Sequence, residues 1–209
     1  MPAEAKSDPW SRLAGLYDLQ LPLERPAVKA LIELLEVSEQ DSLLDLATGT
    51  AAVLRELARS AKPPRSVTGV DRAPAMLAQA PELPAGWTLL EADARALPFA
   101  DESFDVVTAS YLLHLIDRDD RARVIREARR VLRPGGRLGV VTVAPPVGPL
   151  SSLASRPIRA LAARSSGVLA GLRPLDPREE LQAAGLRPLR ARRARAVPPA
   201  LCVVAERVD

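Results

Sequence analysis

Cysteine and histidine are nearly absent: the 209-residue chain has one of each, Cys202 and His114. A single thiol excludes an internal disulfide, and the two residues together leave no Cys/His cluster to hold zinc, so no metal centre is expected. Aromatic residues make up only 3% of the chain, which leaves few rings to stack on nucleic-acid bases. No apolar run approaches the roughly 20 residues that cross a bilayer. Met1-Pro2-Ala3-Glu4-Ala5-Lys6-Ser7-Asp8 has neither the apolar region nor the cleavage pattern of a signal peptide. These absences predict a soluble, cytoplasmic protein.

Lysine is rare as well. Only Lys6, Lys29 and Lys62 stand among 29 basic residues, and against 26 acids the net charge is just +3, so bulk charge points to no polyanionic partner. One local cluster, Arg187, Arg190, Arg192, Arg193 and Arg195, reads as a solvated sheet edge, with a nucleic-acid patch as the alternative. At 47% hydrophobic, the chain is long enough for one sizeable core and short for two, so a single domain is expected.

Periodicity divides that domain into four parts. Residues 8–37 read as a helical cap: Trp10, Leu13, Ala14 and Tyr17 share one helical face, and a second helix spans Pro26–Glu36 with Pro26 in its first turn. Residues 42–144 alternate strands and helices. The strands are Ser42–Leu46, Ser66–Asp71, Trp87–Asp93, Phe104–Ser110 and Arg137–Ala144; the helices are Ala51–Ala61, Ala73–Ala80 and Asp119–Leu132. Residues 145–175 change to Pro, Ser, Gly and Arg around Leu150, Leu153, Ile158, Leu161, Val168, Leu169 and Leu172, and read as a helical insertion over the sheet. Residues 176–209 read as a helix and two strands joined at Pro198-Pro199, close enough for a hairpin, which makes one strand antiparallel. The expected fold is α/β, a doubly wound, mostly parallel seven-stranded sheet.

Candidate chemistry gathers at strand ends. Asp45 ends the first strand, and the small-residue turn Ala47-Thr48-Gly49-Thr50-Ala51 opens directly onto a helix. Asp71, about 25 residues further on, ends the second strand, where an acid can accept hydrogen bonds from both hydroxyls of a ribose. Both acids are expected to face one crevice sized for an adenosyl group, with capping of the following helix as a second role for Asp71. A nicotinamide dinucleotide would call for Gly-x-Gly-x-x-Gly, and this turn has one glycine. His114, in Tyr111-Leu112-Leu113-His114-Leu115-Ile116, is the one candidate imidazole base, and a packed histidine is the alternative.

The ordered set Asp45-Leu46-Ala47-Thr48-Gly49-Thr50-Ala51, Val67-Thr68-Gly69-Val70-Asp71 with Ala75-Met76-Leu77, Ala92-Asp93-Ala94 with Leu97-Pro98-Phe99, Ser103-Phe104-Asp105-Val106-Val107 and Val131-Leu132-Arg133-Pro134-Gly135-Gly136 resembles the class I S-adenosylmethionine-dependent methyltransferases. Within that family it is similar to the type 11 branch, which includes the menaquinone and ubiquinone C-methyltransferases. The resemblance covers roughly residues 42–143. It implies a Rossmann-like fold, S-adenosylmethionine as cofactor and S-adenosylhomocysteine as product. It also implies that Asp45 and the backbone at Ala47 and Gly49 hold the methionine part, Asp71 and neighbouring Arg72 the ribose, and Asp93 and the Ala94 N–H the adenine, with Met76 against the ring. Ser110 would lie beside the methionine end, Tyr17 would close over the cofactor, and Tyr111 would contact acceptor or cofactor. Ala47 and Ala51 stand where the family usually has glycine. The implied acceptor is a small hydrophobic or amphipathic molecule bound under the N-terminal helices and the insertion, with contact to a membrane surface open. The alternatives are an inactive cofactor-binding protein and an RNA-modifying methyltransferase.

Overall fold

A computed structural model describes residues 20–147 and 173–209. The expected helix around Trp10 and Tyr17, and the insertion beyond Val147 up to Leu172, lie outside the described residues.

Seven strands form one sheet in the order β3-β2-β1-β4-β5-β7-β6. These are β1 (Ser42–Leu46), β2 (Ser66–Asp71), β3 (Trp87–Glu91), β4 (Phe104–Ser110), β5 (Leu132–Val143), β6 (Leu186–Ala194) and β7 (Ala200–Arg207). β1 to β5 pair in parallel, and β7 inserts antiparallel between β5 and β6. The chain starts mid-sheet and winds first toward β3, then returns to β4 on the other side of β1. That reversal creates a crevice at the carboxyl ends of β1 and β4, where open α/β sheets bind ligands.

Alternation along the strands builds two cores. Leu44, Leu46, Val107, Ala109, Leu138 and Val140 face one side, where α4 (Arg118–Val131) and α5 (Arg178–Ala183) cover them with Val124, Ile125, Ala128 and Leu181. Leu43, Val67, Val106 and Val141 face the other side, under α1 (Leu21–Leu35) and α2 (Ala52–Leu57) with Leu31, Leu35, Leu54 and Leu57. Each fully buried leucine contributes roughly 2 kcal/mol. α1 sits close because Gly139 has no side chain: a Cβ there would lie 2.7 Å from Leu35 Cδ1.

Several boundaries move from those the sequence suggests. α1 begins at Leu21, so Pro22 occupies the first turn and Pro26 lies inside the helix. The bond that Pro26 cannot make is to the carbonyl of exposed Pro22, one turn back, where water can replace it. α2 has six residues, and α3 (Pro74–Leu77) is a single turn. β5 begins before the Pro134-Gly135-Gly136 break: Phe104 pairs with Leu132 and Val106 with Arg137, so the residues between loop out of the ladder. β6 is the sheet edge, and its arginines are answered locally. Arg187 pairs with Glu206, Arg190 with Glu36 and Arg192 with Glu33, while Arg193 donates to the Pro145 carbonyl. That pairing fits a guarded edge better than a stripe for nucleic acid.

Candidate functional site

The turn after β1 determines the geometry of the crevice. Ala47, Gly49 and Ala51 all have left-handed φ, at +51°, +56° and +68°, and this curls the backbone into a tight arc ahead of α2. Glycine takes that conformation freely, whereas each alanine does so at a cost of about 1–2 kcal/mol. Three bonds hold the arc: Thr48 N–H donates to the Val70 carbonyl (2.9 Å), Gly49 N–H to Asp71 Oδ2 (2.8 Å) and Ala51 N–H to the Thr48 carbonyl (2.8 Å). Asp71 also accepts from Ala73 N–H through Oδ1 (2.9 Å), so one carboxylate ties the β1 turn to the start of α3.

A cavity of about 220 Å³ opens in front of the arc. It is lined by Ala47, Gly49, Asp71, Arg72, Met76, Asp93, Ala94, Ser110 and Tyr111, which brings together most of the residues singled out from the sequence. Two of them stand elsewhere. Asp45 does not line the cavity, which corrects the expectation that it shares an open crevice with Asp71. Its side chain has the parity of Leu43, toward the α1/α2 face, and it is 1% exposed. There Oδ1 accepts from the hydroxyl of Thr108, its register partner on β4, at 2.6 Å. Burial raises the Asp45 pKa to about 6, against the opposing pull of the Thr108 and Thr48 hydroxyls.

His114 is the second correction. The chain turns at Tyr111, φ +56°, after which Leu112, Leu115 and Ile116 line the cavity while Leu113 and His114 point into the core. The imidazole is 3% exposed and meets the Tyr111 ring edge-on with centroids 5.9 Å apart. Burial lowers its pKa to about 4, so it is neutral at physiological pH and a weak base, and it does not line the cavity. Tyr17 lies outside the described residues.

The cavity also includes residues that motif reading missed. Arg95 and Asp120 line its polar side, and Leu112, Leu115, Ile116 and Val124 supply an apolar wall. Arg95 grips Asp93 with contacts down to 2.6 Å, reaches Asp120 at 2.8 Å, and holds the Asp93 carboxyl below its ordinary value. The available signals were the Asp-x-Arg spacing and the acid in the first turn of α4. Three acids (Asp71, Asp93, Asp120) face two arginines (Arg72, Arg95), so the lining favours a ligand with net positive charge. Among the described residues no group of three or more His, Cys, Asp or Glu could hold a metal ion, and no helix is long and apolar enough to cross a membrane.

Comparison with known proteins agrees with this architecture. Residues 43–136 match the family model described as a methyltransferase domain. A demethylmenaquinone methyltransferase of Thermotoga maritima is 37% identical over 142 residues, which is 66% of this chain and 61% of that enzyme. The chain therefore spans about three fifths of the length of that curated relative. Among solved structures, a putative methyltransferase of Haloferax volcanii, in complex with the Trm112 methyltransferase activator, superposes with a TM-score of 0.76 at 20% identity, covering 96% of this chain and 98% of that one. The 1,6-didemethyltoxoflavin-N1-methyltransferase of Burkholderia thailandensis, with 1,6-didemethyltoxoflavin and S-adenosylhomocysteine bound, gives 0.65 at 20% identity over 91% of this chain and 80% of that one. With its ordered motifs, its sheet order and these matches, the chain carries a methyltransferase domain over residues 43–136 and is similar there to the class I S-adenosylmethionine-dependent methyltransferases.

Proposed function

We propose that this chain transfers a methyl group from S-adenosylmethionine to a small hydrophobic or amphipathic acceptor, of which a quinol is the leading candidate. The single observation that carries the reading is the cavity itself, which gathers the arc at Ala47 and Gly49, the carboxylates of Asp71 and Asp93, and an apolar wall within one crevice. The lining suits this cofactor chemically: two cationic groups and one carboxylate give it net positive charge, and acids outnumber arginines around it. Asp71 would hold the ribose hydroxyls, Asp93 and the Ala94 N–H the adenine edge, and Met76 the ring face. The backbone of the arc would approach the methionine part.

When bound, the cofactor supplies a sulfonium-activated methyl group, so the protein's task is to align the reactants and exclude water. Tyr111, Leu112, Leu115 and Ile116 would do the latter. His114, neutral and behind the wall, would support the Tyr111 turn and leave proton transfer to others. The quinol assignment rests on relatives such as the Thermotoga enzyme, named for demethylmenaquinone.

Calorimetry with S-adenosylhomocysteine should give saturable binding, and incubation of the chain with S-adenosylmethionine and demethylated quinols should give a methylated product. No binding heat at millimolar S-adenosylhomocysteine would refute the reading. A second reading, a cofactor binder without activity, is favoured by the Ala47 methyl in the cavity wall. Binding without methyl release across a broad acceptor panel would select it.

A further inference from the structure

We infer that Arg95 competes with the cofactor's purine for Asp93, and so sets both the affinity and the purine selectivity of the site. This rests on the proposal that the adenine edge meets Asp93. Asp93 begins a tight turn in which Ala96 N–H donates to its carbonyl (3.0 Å). Within that turn Arg95 occupies the carboxylate from two directions. Its backbone N–H and Nε donate to Oδ1 at 2.9 and 3.0 Å, and Nε and Nη2 donate to Oδ2 at 3.0 and 2.6 Å.

An ionised carboxylate offers about four acceptor sites. Three N–H groups of one residue, with the Nε–H shared between both oxygens, engage most of them, so a purine 6-amino group that donates to Asp93 competes with the guanidinium for the carboxylate. Displacement is feasible because Arg95 has a second anchor, with Nη1 on Asp120 Oδ2 at 2.8 Å. The Asp93 side chain is 39% exposed and that of Arg95 35%, so water screens their attraction and the competition is modest. A 6-oxo purine reverses the contact. Its oxygen accepts from the guanidinium in place, and Arg95 then favours the ligand it would otherwise oppose. Arg95 thus narrows the natural preference of a carboxylate for a 6-amino purine.

The test is calorimetry on the full chain with S-adenosylhomocysteine and its 6-oxo counterpart, S-inosylhomocysteine, at low and high salt. R95A is expected to bind S-adenosylhomocysteine about three- to tenfold more tightly than wild type and S-inosylhomocysteine less tightly. The wild-type affinity for S-adenosylhomocysteine should rise when salt loosens the Arg95–Asp93 pair, and that of R95A should not. R95K, which keeps the charge and loses the fork, should fall between the two. D120A removes the second anchor, and so should weaken S-adenosylhomocysteine binding while Arg95 is present.

If Arg95 only braced the turn against α4, R95A would weaken both ligands equally, or leave both unchanged, and either result overturns the inference. Thermal unfolding midpoints identify a variant that has lost its fold, in which case R95K and the salt series decide. Wild-type protein that binds neither ligand overturns the cofactor reading itself, whereas wild-type binding with no Arg95 effect overturns only the competition.

Discussion

Replacing Ala47 and Ala51 by glycine, one at a time, separates backbone strain from side-chain packing in the arc after β1. Both residues hold left-handed φ, +51° and +68°, and each gives up about 1–2 kcal/mol to do so. Glycine relieves that strain but enlarges the unfolded ensemble, which costs about 0.4–1 kcal/mol. For Ala47, on the cavity wall, little packing opposes the change, so A47G should stabilise the protein by about 0.5–1 kcal/mol. Ala51 is 0% exposed within the α1/α2 core, and losing its methyl costs roughly 0.8 kcal/mol, so A51G should be close to neutral. With a slope near 2 kcal/mol per molar urea, A47G moves the unfolding midpoint up by about 0.3–0.5 M and A51G moves it little. A47G also removes a methyl from the cavity and should bind S-adenosylhomocysteine more tightly than wild type, as A51G should not. Equal midpoint shifts in the two variants, or destabilisation by A47G, would refute the assignment of strain to Ala47.

Other perturbations probe the buried ionisable groups. Glu24 of α1 is 8% exposed, and burial raises its pKa from 4.5 to about 7. The fold then holds a proton that the unfolded chain releases, and stability falls by about 3 kcal/mol as pH rises from 4.5 through 7. E24Q should remove this fall, gaining on wild type between pH 4 and pH 8 in urea titrations; a constant offset between the two curves would contradict it. His114 acts in the opposite sense. With its pKa lowered to about 4, it contributes stability that grows as pH rises from 4 to 6.5, and H114Q should lose that rise. H114Q should also keep methyl transfer within about threefold at pH 8, since the ring is off the cavity wall; a loss of a hundredfold or more, the range of a missing general base, would restore His114 as the base. R192A, which leaves Glu33 without its edge-strand partner, should cost no more than about 1 kcal/mol.

The sheet was legible because strands buried on both faces leave a continuous apolar run: Leu43 and Leu44, or Val106 and Val107, are neighbours in the chain and divide between two cores. Phe104–Ser110 matches its expected bounds for that reason. The start of α1 was less legible, since a proline pair reads as a stop until tertiary packing of Leu31 and Leu35 on Gly139 outweighs one lost bond. Asp45 could not have been placed by parity, since it shares the face of Leu43 with Asp71 and Val67; what separates the two acids is depth, because Asp45 lies one residue before the end of β1, against Thr108, and Asp71 is the last residue of β2. Nor could His114, because its direction follows from the left-handed turn at Tyr111, which no local pattern of Leu and His announces. Arg95 was hidden in a different way. Its grip on Asp93 is local, two residues along the chain, yet its meaning depends on Asp120 arriving from α4.

The alanines at 47 and 51 show why a motif can weaken while its geometry persists. A glycine-rich turn is recognised by residues that adopt positive φ without cost, but positive φ is maintained by whatever the turn is bonded to. Here Thr48 is tied to β2 through Val70, Gly49 to the Asp71 carboxylate, and Ala51 back to Thr48. Three such bonds, at roughly 1 kcal/mol each and more where the acceptor is charged, offset the strain of two alanines. The arc therefore keeps its shape with one glycine, and Asp71 has a structural role that is independent of any ligand. Removing that carboxylate as D71N should loosen the arc as well as the ribose contact: the unfolding midpoint should fall even without cofactor, and A47G should restore part of it by lowering the strain that Asp71 helps to hold. If D71N weakened cofactor binding and left the ligand-free midpoint unchanged, Asp71 would be a ligand contact only, and some other interaction would have to hold Ala47 and Ala51 in place.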